Sequence, residues 1–336
     1  MKEMNKWERV EAALSRTEVD RVPISLWKHY HLQDRAPKQL AEVTLALYHQ
    51  FDLDLIKLTP SGLYPIQDWG ATIQFGADDD FLPLAVRPVI GSAGDWEALP
   101  HLDVGKGALR RELDMIRYVS QGLQGEAPTM MTIFSPLNIA YKLCGDKVSG
   151  ELVIDYMRQS PRELHAGLAV ITDVVRDYAA ACLEAGASGF FFATQMASRD
   201  LMTPEEFQEF GVPYDLRVLE SLVGKSRVTM LHVCKQNLMF DLVCGYPVDV
   251  FNWAAQTSGT SLSDARQLTD KPLAGGLSLN TLLRGSEEDV LDEARRAMAE
   301  IGRNGFILAP DCVVRGPSPD ANLAAARQAV EETSIV

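Results

Sequence analysis

Apolar positions along this chain follow two alternating rhythms. Short runs rich in β-branched and aromatic residues give way to longer stretches where apolar side chains recur three and four apart. Eight short runs predict strands: Arg21–Leu26, Leu53–Thr59, Thr129–Phe134, Ser188–Ala193, Arg227–Leu231, Val248–Asn252, Pro272–Gly276 and Gly305–Ala309. The stretches between them predict helices. Leu164, Leu168, Ile171 and Val175 form one such stripe, ahead of Tyr178-Ala179-Ala180-Ala181. Thr203-Pro204-Glu205-Glu206 and Ser286-Glu287-Glu288-Asp289 are helix starts, each with a capping hydroxyl and early acids.

Strands alternating with helices predict parallel β/α units. Eight of each fit a closed (β/α)8 TIM barrel better than an open doubly wound sheet, because no GxGxxG follows the first strand. No linker or repeat divides the chain, so residues 1–336 are expected to form a single domain. Gly70–Val89 breaks the rhythm. Ala71–Phe75 and Leu84–Val89 flank the acidic turn Asp78-Asp79-Asp80, which predicts a β-hairpin inserted after the second strand near the barrel mouth.

Composition narrows the function classes. A formal charge of −14 argues against nucleic acid or an anionic membrane as partner. No apolar run approaches the roughly 18 residues of a membrane span. The opening Met1-Lys2-Glu3-Met4-Asn5-Lys6 leads into a charged helix rather than an apolar signal core, so a cytoplasmic location is expected. Five cysteines without a secreted framework are expected to be reduced.

In a barrel of this kind, functional side chains lie at the C-terminal ends of the strands. His232 and Cys234 follow the fifth predicted strand, and Cys312 follows the eighth, with 77 residues between it and Cys234. That spacing carries no local zinc-finger signature; barrel closure is what brings the three together. Three soft ligands without an evident fourth describe a catalytic zinc site with an open position. Buried cysteines more often pack as small hydrophobes, and that reading is kept for Cys144, Cys182 and Cys244.

Lys57 sits in an otherwise apolar strand and must meet water, a partner or a ligand. Tyr64 and Asp68-Trp69 follow it, Gln195 ends the fourth strand, and Asn252-Trp253 ends the sixth. Lys57, Tyr64, Gln195 and Asn252 are therefore the candidate substrate-binding residues. His29 and His31 follow the first strand and read as hydrogen-bonded wall residues outside the metal site.

Several segments resemble the uroporphyrinogen decarboxylase superfamily over nearly the whole chain. They are Ala12-Ala13-Leu14 with Asp20-Arg21-Val22-Pro23, Ser135-Pro136-Leu137 with Ala140, and Leu201-Met202-Thr203-Pro204-Glu205-Glu206-Phe207. Val212-Pro213-Tyr214, Asn252-Trp253 and Gly275-Gly276-Leu277 through Leu282-Leu283-Arg284-Gly285 complete the series. The resemblance implies a single distorted barrel with an N-terminal helical extension.

Two chemistries occur in that superfamily. Its decarboxylases carry an Arg-Gln-Ala-Gly-Arg stretch after strand one and an Asp after strand two. Here those places read Leu26-Trp27-Lys28-His29-Tyr30 and Lys57-Leu58-Thr59-Pro60. A tetrapyrrole bearing many carboxylates needs such cations for charge-assisted hydrogen bonds, so their absence argues against a decarboxylase. The corrinoid-dependent methyltransferases carry His-x-Cys and a distant Cys as zinc ligands, which fall here on His232, Cys234 and Cys312. The resemblance thus implies Zn2+ and methyl transfer between a methylcorrinoid on a partner protein and a thiol such as coenzyme M. A small O- or N-methylated substrate is the other expected methyl donor. No Asp-x-His-x-x-Gly is present, so the corrinoid is expected to arrive on a separate corrinoid protein. The competing expectations are a metal-independent decarboxylase of a porphyrinogen or other carboxylated compound, and a non-catalytic barrel that binds a small ligand or tetrapyrrole.

Overall fold

The computed structural model describes residues 3–76, 82–145 and 151–334. Its strands are β1 (Ile56–Leu58), β2 (Thr72–Gln74), β3 (Leu84–Arg87), β4 (Thr129–Phe134), β5 (Gly189–Thr194), β6 (Val228–Val233), β7 (Val250–Trp253), β8 (Leu273–Leu277) and β9 (Phe306–Pro310). Seven of them form one sheet in the order β1-β4-β5-β6-β7-β8-β9, with every neighbouring pair parallel. Each residue of β4, β5 and β6 is buried, as expected of parallel strands covered on both faces. The predicted stripe Leu164, Leu168, Ile171 and Val175 is buried on the helix Pro161–Ala185. The architecture is a distorted (β/α)8 barrel.

The distortion lies where the first strand was expected, and it corrects the reading of Arg21–Leu26 as a regular strand. Pro23 has no N–H to give to a ladder. The segment meets β9 through an isolated parallel bridge between Ile24 and Leu308. On its other side the Asp54 N–H donates to the Ile24 carbonyl (2.9 Å), and Ser25 Oγ donates to the Leu55 carbonyl (2.7 Å). The barrel therefore closes through a few scattered bonds on either side of one extended segment, not through a continuous ladder.

Asp54 reinforces that closure. Its fully buried carboxylate accepts from Arg9 Nη1 (2.7 Å), Arg21 Nη1 (2.6 Å) and the Ile24 N–H (2.9 Å). Arg9 belongs to the N-terminal helix Lys6–Leu14, which starts on an Asn5–Glu8 capping box. The same guanidinium pairs with Asp20 at 2.7 Å, so one buried network ties the N-terminal extension to the closing segment and to β1.

The inserted hairpin is present: β2 and β3 pair antiparallel, with Ile73 opposite Ala85. Its acidic turn Asp78-Asp79-Asp80 lies outside the described residues. Among the described residues, no helix is long and apolar enough to cross a membrane.

Candidate metal centre and the pocket around it

Sheet register places the first candidate ligand and its support. His232 on β6 aligns with Ala193 of β5 on one side and Asn252 of β7 on the other. Adjacent aligned residues of a parallel sheet share a face, so Asn252 meets the imidazole directly. Asn252 Oδ1 lies 2.6 Å from His232 Nδ1, while Asn252 Nδ2 donates to the Ala274 (3.1 Å) and Pro310 (3.2 Å) carbonyls. Because the amide N–H groups are committed to those carbonyls, Oδ1 must accept, and the imidazole carries its proton on Nδ1. Nε2 keeps its lone pair, which is the tautomer a metal ligand requires. The Phe191 ring stacks on His232 at 5.0 Å between centroids and holds its plane.

Cys234 follows the end of β6, and Cys312 lies two residues beyond β9. One ligand atom from each of His232, Cys234 and Cys312 lies within 4.8 Å of the others. The hydrogen bond from Cys234 holds Cys312 well below the ordinary thiol range, against the opposing effect of burial, and His232 adds to the lowering. The same bond, with burial, pushes Cys234 up. Two sulfurs and one oriented imidazole suit a thiophilic divalent ion and leave a position open. Among the described residues this is the one such cluster, and His29 and His31 lie outside it. All five cysteines are free thiols, and Cys144 and Cys182 are buried in the core.

A cavity of about 670 Å³ opens over this cluster, lined by His232, Cys312, Lys57, Gln195, Phe134 and Phe191 among others. Lys57, on β1, is only 4% exposed. Its ammonium donates to Thr59 Oγ1 (3.1 Å) and lies 4.5 Å from the centre of the Phe191 ring. Burial pushes its pKa down to about 7, opposed by the nearby Cys312. His29 and His31 line the same wall with their rings stacked at 4.8 Å. His31 Nδ1 is held by Asp34 Oδ2 at 3.1 Å, the wall role expected of it. Burial, and then the charge of Lys57, drives His29 well below the ordinary imidazole pKa.

Two candidate substrate residues are placed elsewhere. Tyr64 is 1% exposed and does not line the cavity; its hydroxyl donates to the Thr132 carbonyl (2.9 Å) and its ring packs on Phe134 and Tyr178. The strand leads into the short helix Tyr64–Gln67, which turns the ring into the core. Asn252 is fully buried, and its amide is spent on His232 and two carbonyls, so it supports the ligand rather than facing a substrate. Trp69 is likewise packed, with Nε1 donating to the Pro100 carbonyl (3.0 Å). Three basic residues that line the cavity escaped the sequence reading: Lys142, Arg284 and Arg315. Arg284 sits inside a motif already singled out, and Arg315 stands three residues past Cys312; both positions were available as signals.

A closed parallel barrel with a soft-ligand cluster at its strand ends defines the class of molecule. The chain belongs to the uroporphyrinogen decarboxylase (URO-D) family, whose model matches residues 5–333. It is 25% identical to the methylcobamide:CoM methyltransferase MtaA of Methanosarcina barkeri over 354 aligned positions, covering 99% of both chains. It is 28% identical to the uroporphyrinogen decarboxylase of Syntrophotalea carbinolica, covering 81% of this chain and 78% of that protein. Among solved structures, a methyltransferase from Methanosarcina mazei superposes with a TM-score of 0.85 at 22% identity, over 98% of this chain and 99% of that one. That likeness establishes the fold.

Proposed function

We propose that this protein is a zinc-dependent methyltransferase acting in the cytoplasm, with the whole chain serving as one catalytic domain. It moves a methyl group between a methylcorrinoid carried on a partner protein and a thiol or a small O- or N-methylated substrate. The observation that carries this reading is the convergence of His232, Cys234 and Cys312 beneath an open cavity, with His232 locked by Asn252 in the ligand tautomer. The full-length similarity to methylcobamide:CoM methyltransferases supports it.

His232, Cys234 and Cys312 would hold the zinc. A zinc ion held there would lower the pKa of a thiol at its open position, so that the nucleophile is available near pH 7. The chain's own residues do the rest. Asn252 fixes the imidazole, and Phe191 shields it from one side. Lys57 and Gln195 face the cavity and orient the substrate.

A second reading, decarboxylation of a carboxylated substrate, draws support from the basic cavity lining and from the decarboxylase relatives. It predicts carbon dioxide release that is indifferent to metal. The deciding experiment is elemental analysis of the wild type and of the Cys234→Ala and Cys312→Ala variants. About one zinc per chain, lost in both variants, is the expected result. Zinc absent from the wild type, or unchanged by both substitutions, would end the methyltransferase reading.

A further inference from the structure

The turn that follows Cys234 is bent in a way no helix end explains. Among the described residues, five that are not glycine have positive φ: Arg16, Asp52, Gln124, Lys235 and Asn237. Asp52 and Gln124 cap the C-termini of the helices Pro37–Phe51 and Gly107–Leu123, and Arg16 stands one residue past Ser15, the C-cap of Lys6–Leu14. Left-handed residues are an ordinary way to end a helix. Lys235 and Asn237 end none; they lie between β6 and the short helix Phe240–Val243. Asparagine tolerates its φ of 47°. Lys235, at φ 94°, lies beyond the roughly 50–70° of the left-handed well, where a residue with a Cβ is strained.

Hydrogen bonds on both sides impose that angle. Upstream, the Cys234 N–H donates to the Thr194 carbonyl (3.1 Å), which extends the β5–β6 ladder by one bond. Downstream, the buried Ser198 hydroxyl donates to the Gln236 carbonyl (2.6 Å), and the Arg199 N–H donates to the Asn237 carbonyl (2.9 Å). The Asn237 N–H donates to the Ser258 carbonyl and the Met239 N–H to the Ala197 carbonyl, both at 3.0 Å. Lys235 is thus the one residue between a strand end and a clamped loop, and it takes up the change of direction. Its side chain is exposed, so no packing of its own offsets the strain. Strain of this kind persists only where the surroundings over-determine it, and it gathers at functional sites. Here it stands next to Cys234, whose sulfur lies within 4.8 Å of ligand atoms of His232 and Cys312.

We infer that the clamp from Ser198 holds Lys235 in a strained turn and thereby aims the Cys234 thiol at His232 and Cys312, so that the centre is pre-organised before a metal arrives. Lys235 and Ser198 are positioning residues, and neither touches the metal. The inference rests on the proposed metal centre for what Cys234 is aimed to do. A thiol free to swing would have to be ordered at each binding event, at a cost in affinity.

The turn itself is tested without metal. Glycine reaches a φ of 94° with no Cβ penalty, so Lys235→Gly should raise the urea midpoint of the metal-free protein. Lys235→Ala keeps the Cβ and removes only an exposed side chain, so it should not. A midpoint that Lys235→Gly fails to raise, or that both raise equally, overturns the inference whether or not zinc binds. The positioning role is tested with Zn2+, by chelator competition, and with Co2+, whose thiolate charge-transfer absorption counts the sulfurs bound. Ser198→Ala frees the Gln236 carbonyl; it should weaken zinc binding about 10-fold and cut the cobalt absorption per ion from that of two thiolates to that of one. Damage to the fold alone would lower affinity without changing the number of sulfurs. Because the loss comes from relaxation of the strained residue, it should be smaller in the Lys235→Gly background. Ser198→Ala binding both ions as the wild type does, or losing as much with Lys235→Gly as without it, overturns the inference. A wild type that takes up neither ion overturns the proposed function, and the positioning role falls with it even where the midpoints show strain.

Discussion

Removing the Asn252 side chain should weaken metal binding without touching a ligand. In Asn252→Ala the 2.6 Å bond that keeps the proton on His232 Nδ1 disappears, and the imidazole is free to rotate and to exchange tautomers. Loss of one such supporting partner costs about 10- to 100-fold in metal affinity, or roughly 1.4–2.7 kcal/mol. A separate cost falls on the fold. The Ala274 and Pro310 carbonyls lose a donor in a fully buried position, and leaving buried acceptors unsatisfied costs about 1–3 kcal/mol each. The two effects are read independently: zinc affinity by competition with a chromogenic chelator well below the melting temperature, and stability by urea titration. The expected pattern is a variant less stable by roughly 2–4 kcal/mol that still binds zinc, but more weakly by the factor above. His232→Ala should lose more affinity, since it deletes a ligand. If Asn252→Ala binds zinc as the wild type does while His232→Ala fails, the tautomer argument is wrong. If both bind as the wild type does, the metal centre itself is misplaced.

Other predictions concern the scaffold. A Cβ at Gly189 would run into the Val228 carbonyl and Ser226 Oγ, so Gly189→Ala should push β5 from β6 and cost about 1–3 kcal/mol by urea titration; an unchanged midpoint would refute the close approach. Asp54→Ala leaves Arg9 and Arg21 buried without their shared carboxylate and should cost about 3–5 kcal/mol, seen as a lowered melting temperature. The acid limb of stability should show Asp20. Burial opposes its ionisation, but the Arg9 hydrogen bond and the Met4 N–H hold its pKa at about 2, below the roughly 3.9 of an unfolded aspartate. Its contribution is therefore complete above about pH 4 and is lost as pH falls through about 2. In Asp20→Asn that part of the acid-induced loss should be missing from the pH–stability curve.

The barrel and the convergence of His232, Cys234 and Cys312 were legible because they rest on local signals that survive folding. Buried parallel strands read as apolar runs, and strand ends fix where side chains emerge, so His232 and Cys312 met across the barrel as the alternation implied. The misreadings have one cause: they concern what a side chain does with its second partner. Asn252 stands at a strand end like any substrate-facing amide, and only register with β6 and the approach of Ala274 and Pro310 commit it to His232. Tyr64 stands two residues past the cavity-lining Gly62 and is turned inward where the helix Tyr64–Gln67 begins. Pattern alone also favoured a regular first strand; Pro23 and the Asp54 network replaced its ladder. Arg284 ends the helix after β8 and Arg315 lies in the loop after β9, and their place in one cavity with Lys57 of β1 depends on closure that no local window contains.

The absence of the family's arginine stretch counted in the sequence against a polycarboxylate substrate, and the cavity tempers that argument. Cations are there, supplied by Lys57, Arg284 and Arg315 instead of by the segment after the first strand. Basic lining therefore serves either chemistry and does not discriminate. What discriminates is the investment behind the ligands. A decarboxylase working through cations has no use for two thiols and an imidazole within 4.8 Å of one another. Nor does it need a fully buried amide whose every hydrogen bond serves to fix the tautomer of that imidazole. A supporting residue of this kind is costly to bury and has value only if His232 Nε2 must present a lone pair. The proposed methyl transfer through a soft metal centre would make that demand, and decarboxylation would not.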